Sequence, residues 1–277
     1  MDDSTYQQLK ATIKRLTKID LDLYKPQQMR RRLDGYVATR QEGGEDFSVT
    51  ISRDKVALLA LRDFITINVT EFFRDVDQFE SLKTKVLPAI LAKTPRLNIW
   101  SAGCSIGAEP YTVAMILNEL TPGVRHRILA TDLDERSLLK AKAGGPYSEV
   151  DLKSVSKALL LKYLTPDSNA WKMSNDLRGR IEFKQHNMLT DRFETGFDLV
   201  LCRNVVIYFS DETKRMLDKQ FQASLKPDGW LFIGGSETML SAKELGYERR
   251  HSCFYQKVPL DAEAQRTNRA ARTLRAS

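Results

Sequence analysis

Short apolar runs separated by helix-length segments dominate the chain from residue 97 onwards. Five such runs are predicted as strands: 97–101, 127–131, 180–184, Phe197–Cys202 and 230–233. A further strand at 253–258 is expected to pair antiparallel at the far side of the sheet. Strands that alternate with helices indicate an α/β fold with a parallel sheet.

Residues 1–75 show helical rather than strand periodicity. Apolar side chains recur three or four positions apart in two stretches, at Tyr6, Leu9, Ile13 and Leu16 and at Met29, Leu33 and Tyr36. The pattern predicts a small N-terminal all-α domain with a polar loop at 41–46. A linker helix at 76–94, interrupted at Pro88, then leads into the first strand.

Within the domain expected at 95–258, the stretch between Tyr147 and Asp176 is long for a plain crossover between strands. We expect it to hold a helix at 152–164 and a small hairpin or loop unit around Trp171 to Met173. The tail at 259–277 is rich in Ala and Arg and is expected to be flexible.

Composition is typical of a soluble globular protein, with 42% hydrophobic and 29% charged residues. The longest apolar run, 56–61, is far short of the ~20 residues that span a bilayer, and the polar N-terminus is no secretory signal. Three scattered cysteines and three unpaired histidines lack metal-ligand spacing. We therefore expect a cytoplasmic protein with reduced thiols, no metal site and no membrane insertion.

The loop after the first strand carries the candidate chemistry. Small residues surround Gly103 and Gly107 and let the backbone approach a ligand, while Asp132 follows the second strand, as in folds that bind an adenosine ribose. The glycines do not match the dinucleotide fingerprint, and Glu109 at the helix start would repel a pyrophosphate and attract a cation. S-adenosylmethionine fits, although Glu109 beside Pro110 could simply complement the helix dipole.

Positive charge concentrates between Lys10 and Arg40, with nine Lys or Arg against three Asp or Glu. The predicted helices there would present basic outer faces. Such a run is often only a solvated surface; the functional alternative is a docking site for an acidic partner, either nucleic acid or acidic protein helices.

Four sequence blocks resemble the signatures of the bacterial chemotaxis receptor methyltransferases, the CheR family. They are TINVTEFFRD at 66–75, GCSIGAEPY at 103–111, ATDLD at 130–134 and CRNVVIYF at 202–209. The resemblance covers residues 5–258 in order. Two positions depart from the family pattern: Ala108 replaces a second glutamate, and Gly234-Gly235-Ser236-Glu237 replaces Gly-His-Ser-Glu.

The resemblance implies an α/β, Rossmann-like S-adenosylmethionine-dependent methyltransferase domain that follows the helical domain and carries a small inserted β-subdomain at about 148–180. It implies a cofactor site formed by Asn68, Thr70, Arg74, Gly103, Glu109, Asp132, Asn187, Met188, Arg203 and Asn204. Helix capping is the alternative role for Asn68 and Thr70. Arg74 and Tyr208 are the candidate catalytic residues, expected to hold the acceptor carboxylate.

The implied reaction is methyl transfer to glutamate side chains of chemoreceptors, which yields glutamate methyl esters and S-adenosyl-L-homocysteine. The implied partners are the cytoplasmic helical domains of those receptors, met by the basic N-terminal helices of a monomeric enzyme. The alternative is a methyltransferase that acts on nucleic acid or on another acidic protein. The Asn/Asp-Pro-Pro-aromatic motif of many nucleic-acid enzymes is missing near the fourth strand, and we expect no nucleic-acid partner.

Overall fold

The computed structural model describes residues 1–40, 44–66, 69–239 and 241–259 and divides into two compact units. We call Met1–Asn68 with Val206–Met216 the helical unit, and Val69–Val205 with Leu217–Ser277 the sheet unit. The predicted domain boundary lies at residue 75, whereas residues 69–75 belong to the sheet unit. Backbone contacts explain this, because Phe72 N donates to Asp151 O (2.9 Å) and Phe73 N to Thr112 Oγ1 (3.1 Å).

The helical unit contains four α-helices within its described residues: α1 (Asp3–Thr17), α2 (Pro26–Ala38), α3 (Gly44–Arg53) and α4 (Lys55–Thr66). The Asp2 carboxylate caps α1 by accepting from Thr5 N at 2.8 Å. Leu9, Ile13 and Leu33 are fully buried, as their spacing predicts. Because α3 starts at Gly44, helix replaces the second half of the predicted loop at 41–46, and residues 41–43 lie outside the described residues.

Val206–Met216 belongs to the helical unit although sheet-unit residues flank it on both sides in the chain. Its 3₁₀ turn Val206–Tyr208 pairs with the residues before α2: Lys25 N donates to Tyr208 O and Ser210 N to Leu23 O, each at 3.0 Å. The rings of Tyr24 and Phe209 pack edge to face, with centroids 4.9 Å apart. The helical unit is therefore assembled from two separate stretches of chain.

The predicted linker helix is continuous across Pro88. It consists of α5 (Val76–Ser81), a π-helical turn (Leu82–Val86) and α6 (Leu87–Leu91). Pro88 lies in the first turn of α6, where its missing N–H costs little, so the interruption predicted there is replaced by a change of helical pitch just before it.

The sheet unit is built on seven strands in the order β5-β2-β1-β6-β7-β9-β8. These are β1 (Asn98–Ala102), β2 (Arg127–Asp132), β5 (Ile181–Gln185), β6 (Phe197–Cys202), β7 (Leu225–Ile233), β8 (Tyr247–His251) and β9 (Phe254–Lys257). The first five are parallel and β8 and β9 antiparallel. Helices α7 (Ala108–Leu120), α8 (Glu135–Ala143) and α12 (Asp211–Ser224) connect parallel strands. This confirms the predicted α/β fold with a parallel sheet.

The insertion between α8 and β5 contains a two-stranded antiparallel hairpin, β3 (Leu164–Asp167) and β4 (Ala170–Met173). Three short helices flank it: α9 (Glu149–Leu152), α10 (Lys157–Tyr163) and α11 (Asn175–Arg178). The single helix expected at 152–164 is thus two helices, since Ser156 caps the start of α10 by accepting from Leu159 N.

The structure also bears on three other features: membrane-spanning helices, metal sites and the cysteines. Among the described residues, none of the helices combines the length and apolarity needed to cross a bilayer. The same residues contain no cluster of three or more His, Cys, Asp or Glu side chains suited to a metal ion. Cys104, Cys202 and Cys253 are all buried free thiols.

Candidate active site

The loop between β1 and α7 passes close to its neighbours and requires glycine at two positions. Gly103 and Gly107 have φ values of +81° and +88°. A Cβ on Gly103 would lie 2.6 Å from Val205 Cγ2, and one on Gly107 would lie 2.9 Å from Ala141 Cβ. The small residues therefore shape the loop itself, and they leave backbone atoms rather than side chains lining its outer surface.

Asp132 ends β2 and binds this loop with one carboxylate oxygen and the segment that follows β2 with the other. Oδ2 accepts from Ser105 N at 2.7 Å and Oδ1 from Asp134 N at 2.9 Å. Burial raises the pKa of Asp132, and the N–H groups of Asp134 and Ser105 partly offset that shift. Each carboxylate oxygen has a second lone pair, so Asp132 can still accept from two ligand hydroxyls.

Glu109 lies in the first turn of α7 with its side chain only 12% exposed. Its Oε1 accepts from Ser101 Oγ at 2.7 Å, and its Oε2 lies 3.5 Å from Arg203 Nη1. Burial raises the pKa of Glu109, while Arg203, Ser101 and Arg74 lower it. The carboxylate is held in place by its neighbours and is suited to a cationic group.

Arg203 follows β6 and is buried between the rings of Phe79 and Phe232, at 4.8 and 4.6 Å from their centroids. Its Nη2 donates to Arg74 O (2.8 Å), Asp75 Oδ2 (2.9 Å) and Gln78 Oε1 (3.2 Å). The guanidinium thus fixes the backbone that carries Arg74. A cofactor contact by Arg203 remains a prediction, and its contacts with residues 74–79 were missed by sequence reasoning.

Arg74 is half-buried, and its Nη1 donates to Val69 O at 2.8 Å. Its charge lowers the pKa of Glu109, so the two side chains interact electrostatically. Thr70 lies four residues earlier in a stretch without regular secondary structure, and no described helix begins beside it; the capping alternative is therefore wrong for Thr70. Asn68 lies outside the described residues.

Asn187 and Met188 follow β5 beside the end of β2, because His186 N donates to Asp132 O at 2.9 Å. Asn187 Oδ1 accepts from Leu189 N at 3.0 Å, which leaves the amide NH₂ as its ligand-facing group. Met188 is half-buried. Both residues therefore lie on the same edge of the sheet as Asp132.

Asn204 follows Arg203 in a left-handed conformation (φ +58°), which asparagine tolerates. Its Oδ1 is buried and, among the described residues, has no hydrogen-bond partner; the same holds for Ser105 Oγ. Tyr208 is half-buried in the helical unit. The sheet unit thus carries all the predicted site residues that the structure describes except Tyr208.

The comparisons with known proteins cover almost the whole chain. The family model described as CheR methyltransferase, SAM binding domain matches residues 68–252. The chain belongs to the CheR methyltransferase family.

Named relatives agree with that family. A chemotaxis protein methyltransferase of Listeria monocytogenes is 37% identical over 260 residues, which are 92% of this chain and 98% of the relative. Another, from Borreliella burgdorferi, is 37% identical over 71% of this chain and 73% of its own length. A solved amino pentose methyltransferase from Micromonospora echinaspora is 18% identical, with a TM-score of 0.33 over 56% of this chain and 50% of its own; a likeness this low adds nothing to the assignment.

The chain is a methyltransferase that uses S-adenosylmethionine, and its residues fit that cofactor. The carboxylates of Asp132 and Glu109 suit ribose hydroxyls and a cationic amino or sulfonium group respectively. The buried and unpartnered oxygens of Ser105 and Asn204 can accept from further donors. The glycine loop and its neighbours are therefore suited to a ligand that brings positive charge and hydrogen-bond donors.

Proposed function

We propose that this enzyme methylates glutamate side chains of chemoreceptors and so forms the methyl esters used in sensory adaptation. The observation that carries the proposal is the family match, which includes near full-length relatives named chemotaxis protein methyltransferases. The location of Arg74 beside the carboxylate-lined loop supports it, because a guanidinium next to a cofactor site can bind an acceptor carboxylate.

The chemistry needs little from the protein beyond alignment. S-adenosylmethionine supplies a methyl group on a positively charged sulfur and leaves as neutral S-adenosylhomocysteine. An exposed glutamate has a pKa of about 4.3, so the acceptor is already ionised near neutral pH and needs no general base. We assign Arg74 to orient that carboxylate, and Tyr208 to donate a hydrogen bond to it without removing much of its charge. Orientation in a dry site then supplies most of the acceleration.

The proposed activity predicts a methyl group that mild base removes. Membranes that contain chemoreceptors, incubated with this protein and S-adenosylmethionine tritiated in the methyl group, are expected to gain label that alkali releases as volatile methanol. Oligonucleotides and an acidic protein without receptor sequence serve as alternative acceptors. Alkali-stable label, or preferential labelling of the oligonucleotide, would contradict receptor esterification and favour the other acceptor class.

The helical unit offers a basic surface for the receptor, although several of its cations are paired with carboxylates. Asp3 and Asp34 bind Arg30, Asp22 binds Lys10, and Asp20 binds Lys14. Arg31 is exposed, and among the described residues it has no carboxylate partner. Arg32 donates to Phe64 O at 2.6 Å and lies over the Phe64 ring. Both arginines line a groove of about 520 Å³. We infer that Arg31 and Arg32 supply the attraction to acidic receptor helices.

Reversing the charge of Arg31 (Arg31→Glu) is expected to weaken receptor binding about tenfold at low salt and less at higher salt, because exposed charges are screened. Affinity for S-adenosylmethionine should not change. The matched control is Lys55→Glu, the same charge reversal at another exposed position of the helical unit. Equal receptor affinity of both variants across salt concentrations would contradict the role of Arg31.

We place the enzyme in the cytoplasm and propose that it is a monomer. Light scattering measures the molar mass in solution and so tests the monomeric state directly.

A further inference from the structure

The backbone that carries Arg74 adopts an unusual conformation on both sides of that residue. Phe73 has a φ of +54° and Asp75 a φ of +62°. Aspartate is one of the side chains that tolerate this left-handed region, but phenylalanine rarely adopts it, because its Cβ then comes too close to the following carbonyl oxygen. Phe73 therefore keeps this conformation only because other contacts hold it there.

One of these contacts acts on Phe73 itself. Its backbone N donates to Thr112 Oγ1 at 3.1 Å, and the Thr112 hydroxyl in turn donates to Ala108 O at 2.8 Å. Thr112 is fully buried in the second turn of α7, and Glu109 lies in the first turn of the same helix. Since the hydroxyl proton is used within α7, the oxygen meets Phe73 as an acceptor.

The residues on either side of Phe73 are anchored as well. Before it, Phe72 is fully buried, and its backbone N donates to Asp151 O at 2.9 Å. After it, Arg203 Nη2 donates to Asp75 Oδ2 at 2.9 Å. A rotation of Phe73 away from its present φ would therefore displace the residue that lies between these anchors, which is Arg74.

We propose that Thr112 is a positioning residue for methyl transfer, which acts through the N–H of Phe73 to hold Arg74 at the acceptor carboxylate. The Thr112 hydroxyl supplies the hydrogen bond that keeps Phe73 left-handed, and that conformation sets the direction in which the Arg74 side chain leaves the backbone. Because α7 also carries Glu109, the same contact keeps the acceptor site in a fixed position relative to the cofactor site. The proposal rests on the role proposed for Arg74.

The test removes the hydroxyl and keeps the shape of the side chain, with Thr112→Val. We expect the single-turnover rate of methyl transfer to receptor to fall about twentyfold at saturating S-adenosylmethionine, since a small displacement of a positioning group costs a factor of this order. Thr112→Ser restores the hydroxyl and is expected to stay within about threefold of the wild-type rate. Thr112→Ala removes the hydroxyl without adding bulk and should lose as much rate as Thr112→Val, so the test does not depend on one variant that must fold.

The matched control is Thr121→Val, at the C-terminal end of α7. The Thr121 hydroxyl also donates to the carbonyl oxygen four residues earlier, Leu117 O, at 2.8 Å, and bonds one partner outside the helix, His126 Nε2, at 2.8 Å. This variant should keep the wild-type transfer rate. An equal loss of rate in Thr121→Val would assign the effect to α7 as a whole and overturn the proposal.

The combination of Thr112→Val with Arg74→Ala distinguishes positioning of Arg74 from a purely structural role. If Thr112 acts through Arg74, its substitution has little effect once the guanidinium is gone, and we expect a further loss of less than about twofold. A twentyfold loss in both backgrounds, or a wild-type rate in Thr112→Val, would overturn the proposal. A wild-type rate in Arg74→Ala alone would contradict the role of Arg74, and a wild-type chain that transfers no methyl group to receptor would contradict the proposed function itself.

Discussion

Replacing Arg74 by alanine is expected to lower the rate of methyl transfer to receptor about a thousandfold at saturating S-adenosylmethionine. The reason is the loss of the group that orients the acceptor, since misalignment in a positioning mechanism costs a factor of this order. The fold should tolerate the change. The Arg74 side chain is half-buried and donates to a single backbone oxygen, Val69 O, so the free energy of unfolding should fall by less than about 1 kcal/mol.

Single-turnover transfer rates and thermal unfolding, measured on the same preparations, distinguish a loss of catalysis from a loss of stability. Arg74→Lys retains the charge but loses the planar guanidinium that can donate two parallel hydrogen bonds to a carboxylate. We expect its transfer rate to lie between those of the wild type and Arg74→Ala. Arg96→Ala, at an exposed position before β1, controls for loss of a positive charge from the sheet unit. Wild-type transfer by Arg74→Ala would remove Arg74 from the mechanism.

Replacing Asp132 by alanine is expected to weaken S-adenosylmethionine and S-adenosylhomocysteine by the same factor, about a hundredfold. Two charge-assisted hydrogen bonds to ribose hydroxyls account for a loss of this size. The variant also removes the acceptor of Ser105 N and so loosens the β1–α7 loop. Both effects are independent of the charge on sulfur, which is why the two ligands should lose affinity in parallel. Calorimetry with each ligand measures this directly.

The control for Asp132 is its neighbour Asp134, which caps α8 by accepting from Arg136 N at 3.0 Å. Asp134→Asn removes a nearby charge while it keeps the cap, and it should change either affinity by less than about threefold. Circular dichroism confirms that the Asp132 variant is folded. If a folded Asp132→Ala protein kept wild-type affinity, Asp132 would be an anchor of the loop and not a ligand of the cofactor.

Most of the central sheet could be predicted because its strands are continuous apolar runs. The prediction for β6, Phe197–Cys202, matches to the residue. Strand β2 is one residue longer than predicted, and β1 is shifted by one residue at both ends. Strand β8 was missed. It lies at the edge of the sheet, and four of its five residues are charged or imidazole side chains, so it has no apolar run to detect.

The candidate site was predictable where its residues follow strands, and not where it depends on distant contacts. Gly103, Glu109 and Asp132 stand close to strand ends in the sequence, and their types alone suggest cofactor chemistry. Arg203 packs between Phe79 and Phe232, and Phe79 precedes Arg203 by more than a hundred positions in the sequence. The approach of Glu237 and Asn204 to the same point at Gly234 likewise joins residues that follow different strands. Such contacts leave no local pattern in a sequence.

The assignment of Val206–Met216 to the helical unit has a consequence for synthesis on the ribosome. The N-terminal helices leave the exit tunnel first, but the stretch that pairs with Leu23 and Lys25 emerges only after β6 has been made. The helical unit therefore cannot reach its final packing until most of the parallel strands are available. Apolar surface of the helical unit that Val206–Met216 covers, such as the Tyr24 ring beside Phe209, is therefore expected to stay exposed until residue 216 has emerged.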